Sequence, residues 1–459
     1  MKDIYLVNYS VRGIKTLDET VSLSFYKKII SKDPDTQDYN IKGIYGMNGS
    51  GKSGIVTSVE ILRNLLTNPG YLNNPVAQKN LDAIINKKLG RLDIEAEYMV
   101  KTIGNLLLFR YNIALCKNNM GKYNICYEKL SVKKATSRSE VRETVYEVLD
   151  GEIKFLYEQK GKDDIVTDIQ IKTMNLLSMA SMCALFYEKF FVPLSKKKEQ
   201  KDSFLWLSIL ILDIFGMKLH VYIDESDDHR EYVARNSMRN YNDDEKNKIE
   251  NEAWIDSFLE MDSDYLNVLK ISHNFVPEAS YLHFEKTVNK LYEFLHIFKS
   301  DLQSIEIDRK EKDNNIWICD LVMVYETYKI HAEFESTGIK KLIKLFAYLN
   351  EMVRGGIVFI DEFDSNLHDV YLCALLEYLM EYGEGQLCFT THNVGPMDIL
   401  KQHKKSIDFL SEDHKIYSWT TNGNYSPSKL YRNGMIEGSP FNVDSIDFIG
   451  VFGADEEDE

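Results

Sequence analysis

The stretch IKGIYGMNGSGKS, residues 41–53, decides the fold of this 459-residue chain. Its last eight residues match G-x-x-x-x-G-K-[ST], a loop that wraps phosphate groups. Gly46, Gly49 and Gly51, with Asn48 between them, let the backbone curl so that its N–H groups face phosphate oxygens. Lys52 has the reach to meet β- and γ-phosphate oxygens, and Ser53 offers an oxygen to Mg2+. The motif needs an apolar strand before it and a helix behind it, whose N-terminus carries positive partial charge. Both are present: residues 41–45 form a short apolar run, and Ile55, Val56, Val59, Leu62 and Leu66 recur at helical spacing.

Three further segments fit around this loop. Residues 355–362 read GGIVFIDE. An apolar strand ending in two acids sets Asp361 beside the phosphate loop, where it helps hold Mg2+ through water. Glu362 is then placed to orient and deprotonate an attacking water. After the next apolar strand come Thr390, Thr391, His392 and Asn393. A histidine at that strand end can hydrogen-bond a γ-phosphate and the attacking water. Residues 335–342, ESTGIKKL, open a helix whose Ile339, Leu342, Ile343, Phe346, Leu349 and Val353 share one face. Ser336 suits its N-cap. Alone this is an ordinary capped helix start. The order of the four segments makes Ser336 and Gly338 candidate phosphate ligands.

Apolar residues are 44 % of the chain and charged residues 27 %, a composition that excludes a disordered or fibrous protein. With 24 Gly and 8 Pro there is little flexible linker. Asp and Glu outnumber Lys and Arg by 71 to 55, for a net charge of −16. That is the wrong sign for a protein that coats nucleic acid with its whole surface, though a local basic groove stays open. Cys116, Cys126, Cys183, Cys319, Cys373 and Cys388 show no CxxC spacing. Buried free thiols in a reducing cytoplasm are expected, rather than a zinc site or a disulfide framework. The start, MKDIYLVNYS, lacks the pattern of a signal peptide. The longest apolar stretches, 174–187 and 204–217, fall short of the roughly 20 residues a membrane span needs. They are expected to be core helices of a cytoplasmic protein with no membrane segment.

Along the chain, residues 3–8 and 20–26 look like strands around a turn holding Arg12 and Gly13. Residues 92–116 and 121–132 alternate like a small antiparallel sheet with turns near Gly104 and Gly121. Helical faces are expected over 138–149, 169–192, 203–216, 244–271 and 281–300. Between them lie the lysines Lys196, Lys197, Lys198 and Lys201. An acidic stretch, 224–264, holds fourteen acidic and five basic residues. Solvated surfaces account for both runs. From about residue 315 strands and helices alternate again: strands over 317–326 and 328–335, helices over 338–353 and 367–382. The runs IVFI and QLCFT read as parallel strands buried on both faces.

The four segments, in this order, resemble the ABC-class ATPases. Walker A lies at 46–53, Walker B at 357–362 and the switch histidine at His392, while Ser336 and Gly338 stand where that class carries LSGGQ. The resemblance implies ATP and Mg2+ as ligands, with Ser53 and Asp361 on the metal, Glu362 as general base and His392 as γ-phosphate sensor. It also implies a head-to-tail homodimer or higher homo-oligomer, in which Ser336 and Gly338 complete a neighbour's site. Arg12 resembles an arginine near the phosphates in the RecF/SMC branch. No Q-loop glutamine can be placed.

Residues 54–335 separate the P-loop from Ser336, far more than in transporter domains. DEFDSNLH, 361–368, is similar to the DE-x-x-x-x-LH of OLD-like ATPases, with His368 where transporters carry the D-loop aspartate. Together with ESTGIKKL, QLCFTTHN and SPSKLYRNGMIEGSPFN, it makes the chain resemble the OLD-like ATPases of bacterial anti-phage defence, most nearly the ATPase subunits of PARIS systems. Residues 393–459 are too few for the Toprim domain of long OLD nucleases. The resemblance therefore implies a separate effector, a Toprim nuclease, released in response to a phage-encoded trigger protein.

The expected fold is α/β: an ABC-type P-loop ATPase core with a mixed, largely parallel sheet and an N-terminal antiparallel β lobe, split by a helical insertion. Residues 1–136 and 316–445 would form the core, 137–315 the insertion and 446–459 an acidic tail. The alternative is a RecF/SMC-like DNA-repair ATPase that clamps DNA, through a basic groove at Lys87, Lys88 and Arg91 or around 196–201. Direct DNA binding is left open. A scaffold with a degenerate ATPase site is opposed by the intact Lys52, Asp361, Glu362 and His392.

Overall fold

Alternating and continuous apolar runs go to different sheets, because the first kind buries one face and the second buries both. The computed structural model describes residues 4–102, 105–157, 169, 171, 173–186, 204–224, 269–312, 316–420 and 425–439. The chain opens with β1 (Ile4–Arg12), β2 (Val21–Ser24) and β3 (Ile41–Gly46), followed by α1 (Lys52–Thr67) and α2 (Pro75–Ile84). Next come β4 (Arg91–Thr102), β5 (Asn105–Lys117), β6 (Tyr123–Lys134), β7 (Glu143–Leu149) and β8 (Glu152–Leu156). The middle holds α3 (Met182–Leu185), α4 (Phe204–Lys218), β9 (Leu219–Tyr222), β10 (Asn274–Pro277), α5 (Tyr281–Phe298), β11 (Leu302–Lys312), β12 (Ile316–Tyr325) and β13 (Lys329–His331). The last part holds α6 (Thr337–Val353), β14 (Ile357–Ile360), α7 (Asp369–Tyr382), β15 (Gln386–Thr390), α8 (Met397–Leu400), β16 (Ile407–Leu410), β17 (Ile416–Ser418) and α9 (Pro427–Arg432).

Seven strands form one antiparallel sheet in the order β2-β1-β4-β5-β6-β7-β8. The second sheet runs β17-β16-β3-β15-β14-β9 and is parallel throughout except for the β16–β17 pair. A third, small antiparallel sheet joins β10, β12 and β11, with β13 on β12. The fold is thus α/β, with an antiparallel lobe beside a mostly parallel sheet, as expected. Helix α4 is apolar on all sides, and all but three of its residues are buried, as a helix enclosed by protein requires. It packs with α1 in a core shared by both large sheets, where the Phe359 ring of β14 meets Tyr9 and Phe25 of the antiparallel lobe. Lys42, a charge inside β3, is paired with Asp408 of β16 at 2.6 Å, both fully buried.

Several expectations are corrected. The helix expected over 138–149 is instead β7, and β8 follows it. Asp150 and Gly151, with φ of 51° and 80°, make the two-residue turn between them, since this type of hairpin turn needs positive φ at both positions. The segment 137–315 is therefore not helical throughout: it contributes β7 and β8 to the antiparallel sheet and β9 to the parallel one. Within the helix expected over 169–192, the described residues 174–180 run as turns and a bend before the short α3. Cys116 and Cys126 are not free thiols but form a disulfide. They sit ten apart in sequence, but the β5–β6 hairpin brings their Cα atoms to 5.8 Å, with Cys126 at the register shift opposite Ala114 and Leu115 and Cys116 opposite Asn124. The other four cysteines are in no disulfide. The basic run at 196–201, the acidic stretch beyond Asp224, residues 244–268 of the helix expected over 244–271 and the tail 446–459 lie outside the described residues, and residues 269–271 are not helical. Among the described residues no helix is long and apolar enough to cross a membrane.

Candidate nucleotide-binding site

Parallel strands bring their C-terminal ends to one edge, and the chemistry of this chain is gathered there. Strand β15 lies between β3 and β14, and strands are spaced about 4.8 Å apart. Asp361 and Glu362 therefore leave the sheet roughly 10 Å from the loop that leaves β3, with Thr390 between them. Thr390 bridges β15 to the end of β14. Its hydroxyl donates to Asp361 Oδ1 at 2.5 Å and accepts the Glu362 N–H at 2.8 Å.

The loop 46–53 has the form its glycines demand. Gly49 and Gly51 have φ of 82° and 105°, values that disfavour side chains. A Cβ on Gly51 would also lie 2.4 Å from the Leu17 side chain. Helix α1 begins at Lys52; Gly54 and Ile55 donate their N–H groups to the Gly51 carbonyl, which leaves the N–H groups of Lys52 and Ser53 without a partner inside the helix. Lys52 is 6 % exposed and donates to the carbonyls of Gly46 and Met47 at 2.8 and 2.9 Å. Burial pushes its ammonium down to about 8, while Asp361, Glu362 and Asp364 act to keep the charge. The Ser50 hydroxyl is buried with no hydrogen-bond partner among the described residues. Left-handed glycines, unpaired helix-end donors, an orphaned buried hydroxyl and a confined lysine are a donor set that suits phosphate. Asn48 is exposed at the loop tip, and Ser53 is half-buried in the first turn of α1.

His392 follows Thr390 and Thr391 at the end of β15. Burial and the nearby Lys52 charge push its imidazole pKa down, and Asp364 and Asp361 act the other way. Lys52, Asp361, Glu362 and His392 thus meet in one field. Ser336 caps α6, its hydroxyl accepting the Ile339 N–H at 3.4 Å. Gly338 lies against the loop after Glu362, where a Cβ would come within 2.7 Å of the Asn366 carbonyl oxygen. Arg12 ends β1 exposed, and its Nε donates to the Asp18 carbonyl at 3.0 Å. That ties it to the 13–18 turn, which in turn packs on the phosphate loop through Leu17 and Thr16.

Four residues of this neighbourhood had no assigned role in the sequence. Thr390 is the bridge just described. Asp364 contributes charge to both Lys52 and His392. Tyr431 of α9 hydrogen-bonds the Gly46 backbone and packs on Tyr45. Lys341 of α6 is buried and reaches Glu362 and Ser365. Thr390 and Tyr431 lay inside quoted motifs. Asp364 and Lys341 lay inside quoted motifs as well, DEFDSNLH and ESTGIKKL.

No protein-family model matches the chain, and no curated protein matches it. Among solved structures it is similar to an SMC head bound to the C-terminal winged-helix domain of ScpA, at 13 % identity over 91 % of this chain and 98 % of that one, with a TM-score of 0.40. It is also similar to the recombination mediator protein RecF of the RecFOR pathway, at 12 % identity over 91 % of this chain and 99 % of that one, with a TM-score of 0.37. Both superpositions are loose.

Proposed function

We propose that this chain is an ABC-class ATPase that binds and hydrolyses ATP with Mg2+ and acts as the sensor and scaffold of an anti-phage defence system. One observation carries the ATPase reading: a lysine, two carboxylates and a histidine from three separate strand ends converge beside a loop shaped for phosphate. Lys52 and the N–H groups of residues 49–53 would hold the phosphates. Ser53 and Asp361 would hold Mg2+, which when bound neutralises charge on the phosphate oxygens. Glu362, at the exposed end of β14, takes the proton of the attacking water. His392, kept neutral by burial and by Lys52, hydrogen-bonds the γ-phosphate position. Ser336 and Gly338, at the positive end of α6, serve the site of a neighbouring protomer in a head-to-tail homo-oligomer.

The defence role, a separate Toprim nuclease as effector and a phage-encoded trigger rest on the resemblance of DEFDSNLH, ESTGIKKL and the 426–442 segment to OLD-like ATPases. The division into a core from both chain ends and an intervening unit belongs to the same proposal. For the DNA-clamp alternative, Lys87, Lys88 and Arg91 are each already paired with an acid, Asp82, Asp18 and Asp93 respectively. That weakens a groove at this place.

Lys52→Ala is expected to abolish nucleotide binding. Glu362→Gln is expected to keep binding, lose turnover by about 100-fold or more, and accumulate an ATP-bound oligomer. Turnover assays and sizing by light scattering read both, and unchanged turnover in either variant rejects the site. ATPase stimulation by duplex DNA with steep salt dependence would favour the clamp.

A further inference from the structure

Lysine is almost never fully buried unless its charge is matched, yet Lys341, in the second turn of α6, is 3 % exposed. Its ammonium donates to the Glu362 carbonyl oxygen and to the Ser365 hydroxyl. Burial pushes its pKa down, while Asp224, Asp364, Glu362 and Asp361 act to keep it charged. The apolar stripe of α6 has no use for a lysine at this point. The loop beneath it does.

Glu362 holds a left-handed backbone, φ 48°, which is disfavoured for a residue bearing a Cβ. Such a conformation persists where neighbours over-determine it. Here the Glu362 N–H is taken by Thr390 of β15, and its carbonyl by Lys341 of α6 as well as by the Ser365 N–H of its own turn. The main chain on both sides of its Cα is pinned, from two different elements. The same two turns of α6 touch the loop again through Gly338 and Thr337, both against Asn366, itself at φ 60°.

We propose that Lys341 is a positioning residue for Glu362: by holding the Glu362 carbonyl it fixes the left-handed turn that aims the carboxylate. This rests on Glu362 being the general base. The Lys341 ammonium is spent on the loop after β14, on the Glu362 carbonyl and the Ser365 hydroxyl. Its place on α6 has a consequence for the oligomer. Ser336 and Gly338 open the same helix, so a neighbour's phosphate seated there bears on the turn that aims Glu362 in this subunit.

The test uses the full chain with ATP. Lys341→Met removes the donors at similar length, and Lys341→Arg restores them. Given a wild type that hydrolyses ATP and a Glu362→Gln variant that does not, Lys341→Met should lower kcat by about 10–100-fold with KM and nucleotide affinity within about twofold. Lys341→Arg should recover most of that loss. Adding Lys341→Met to Glu362→Gln should cost nothing further, because residues that act as a unit are not additive. If Lys341→Met fails to fold, Lys341→Gln, which keeps an amide donor, is measured instead and should show the same split between kcat and KM at smaller size. A folded variant with wild-type kcat, or one that changes KM alone, overturns the role of Lys341 and leaves Glu362 standing. Wild-type turnover in Glu362→Gln overturns the general base and this inference with it.

Discussion

Glu128 of β6 shows how burial sets the behaviour of one residue away from the nucleotide site. Its carboxylate is fully buried, accepts hydrogen bonds from Tyr111, Tyr146 and the Met182 N–H, and has its pKa raised from 4.5 to about 6 by desolvation. Below pH 4.5 the group is protonated whether the chain is folded or not. Between 4.5 and 6 the folded chain keeps a proton that the unfolded chain has released, so this residue's contribution to stability falls as pH rises through that window. The total is about 2 kcal/mol. Glu128→Gln should remove that slope: urea unfolding at pH 4.5 and 6.5 should show a smaller difference than wild type by about that amount. An unchanged difference would mean that the carboxylate is not held in its neutral form. At the candidate nucleotide site the same physics acts on a cation, and Lys52 is pushed down to about 8. A lysine eased of its water is ready for a phosphate partner.

At the scale of elements, the loop joining β3 to α1 depends on two glycines for different reasons. Both have positive φ, but a Cβ on Gly49 would meet nothing within 4 Å, whereas one on Gly51 would strike Leu17 at 2.4 Å. Gly49→Ala should therefore cost only backbone strain, about 1–2 kcal/mol. Gly51→Ala should add a clash that displaces the 13–18 turn. Nucleotide affinity measured by fluorescence titration should fall more for Gly51→Ala than for Gly49→Ala, and the reverse order would show that the 13–18 turn does not brace the loop. These elements were plainly readable, because a phosphate loop needs glycine, lysine and serine at set places between strand and helix. The β7–β8 hairpin was not. Val141, Val145, Val148 and Leu149 fall at helical spacing by coincidence, and the Asp150-Gly151 turn that overrides it is a two-residue signal.

For the whole molecule, the two large sheets are joined by more than apolar contact. Gln386, at the start of β15, behaves as a strand for β1: its Oε1 accepts the Leu6 N–H at 2.7 Å and its Nε2 donates to the Leu6 carbonyl at 3.0 Å. All of this is buried, next to the register shift between β1 and β4 after Leu6. Gln386→Ala should leave two buried backbone groups unpaired and destabilise the chain by about 2–4 kcal/mol. The measurement is denaturant unfolding, and a loss below about 0.5 kcal/mol would show that the clamp carries no weight. Gln386 begins QLCFT, and its pairing could not be read because the partner lies 380 residues away.

Local chemistry was enough to place a glycine-rich loop between strand and helix, Asp361 and Glu362 at a strand end, His392 after the next strand, and the apolar strands of a parallel sheet. Each depends on a short spacing or a continuous apolar run, and those survive in any fold that satisfies them. Pairings made at long range belong to the tertiary structure. It joins β9 to β14, ties Gln386 to Leu6 and sets Thr390 between the Asp361 carboxylate and the Glu362 N–H. It also buries Lys341 against the Glu362 carbonyl. A charged residue on a helix reads as solvated until something across the sequence offers it an acceptor, and only the folded chain decides where that acceptor lies.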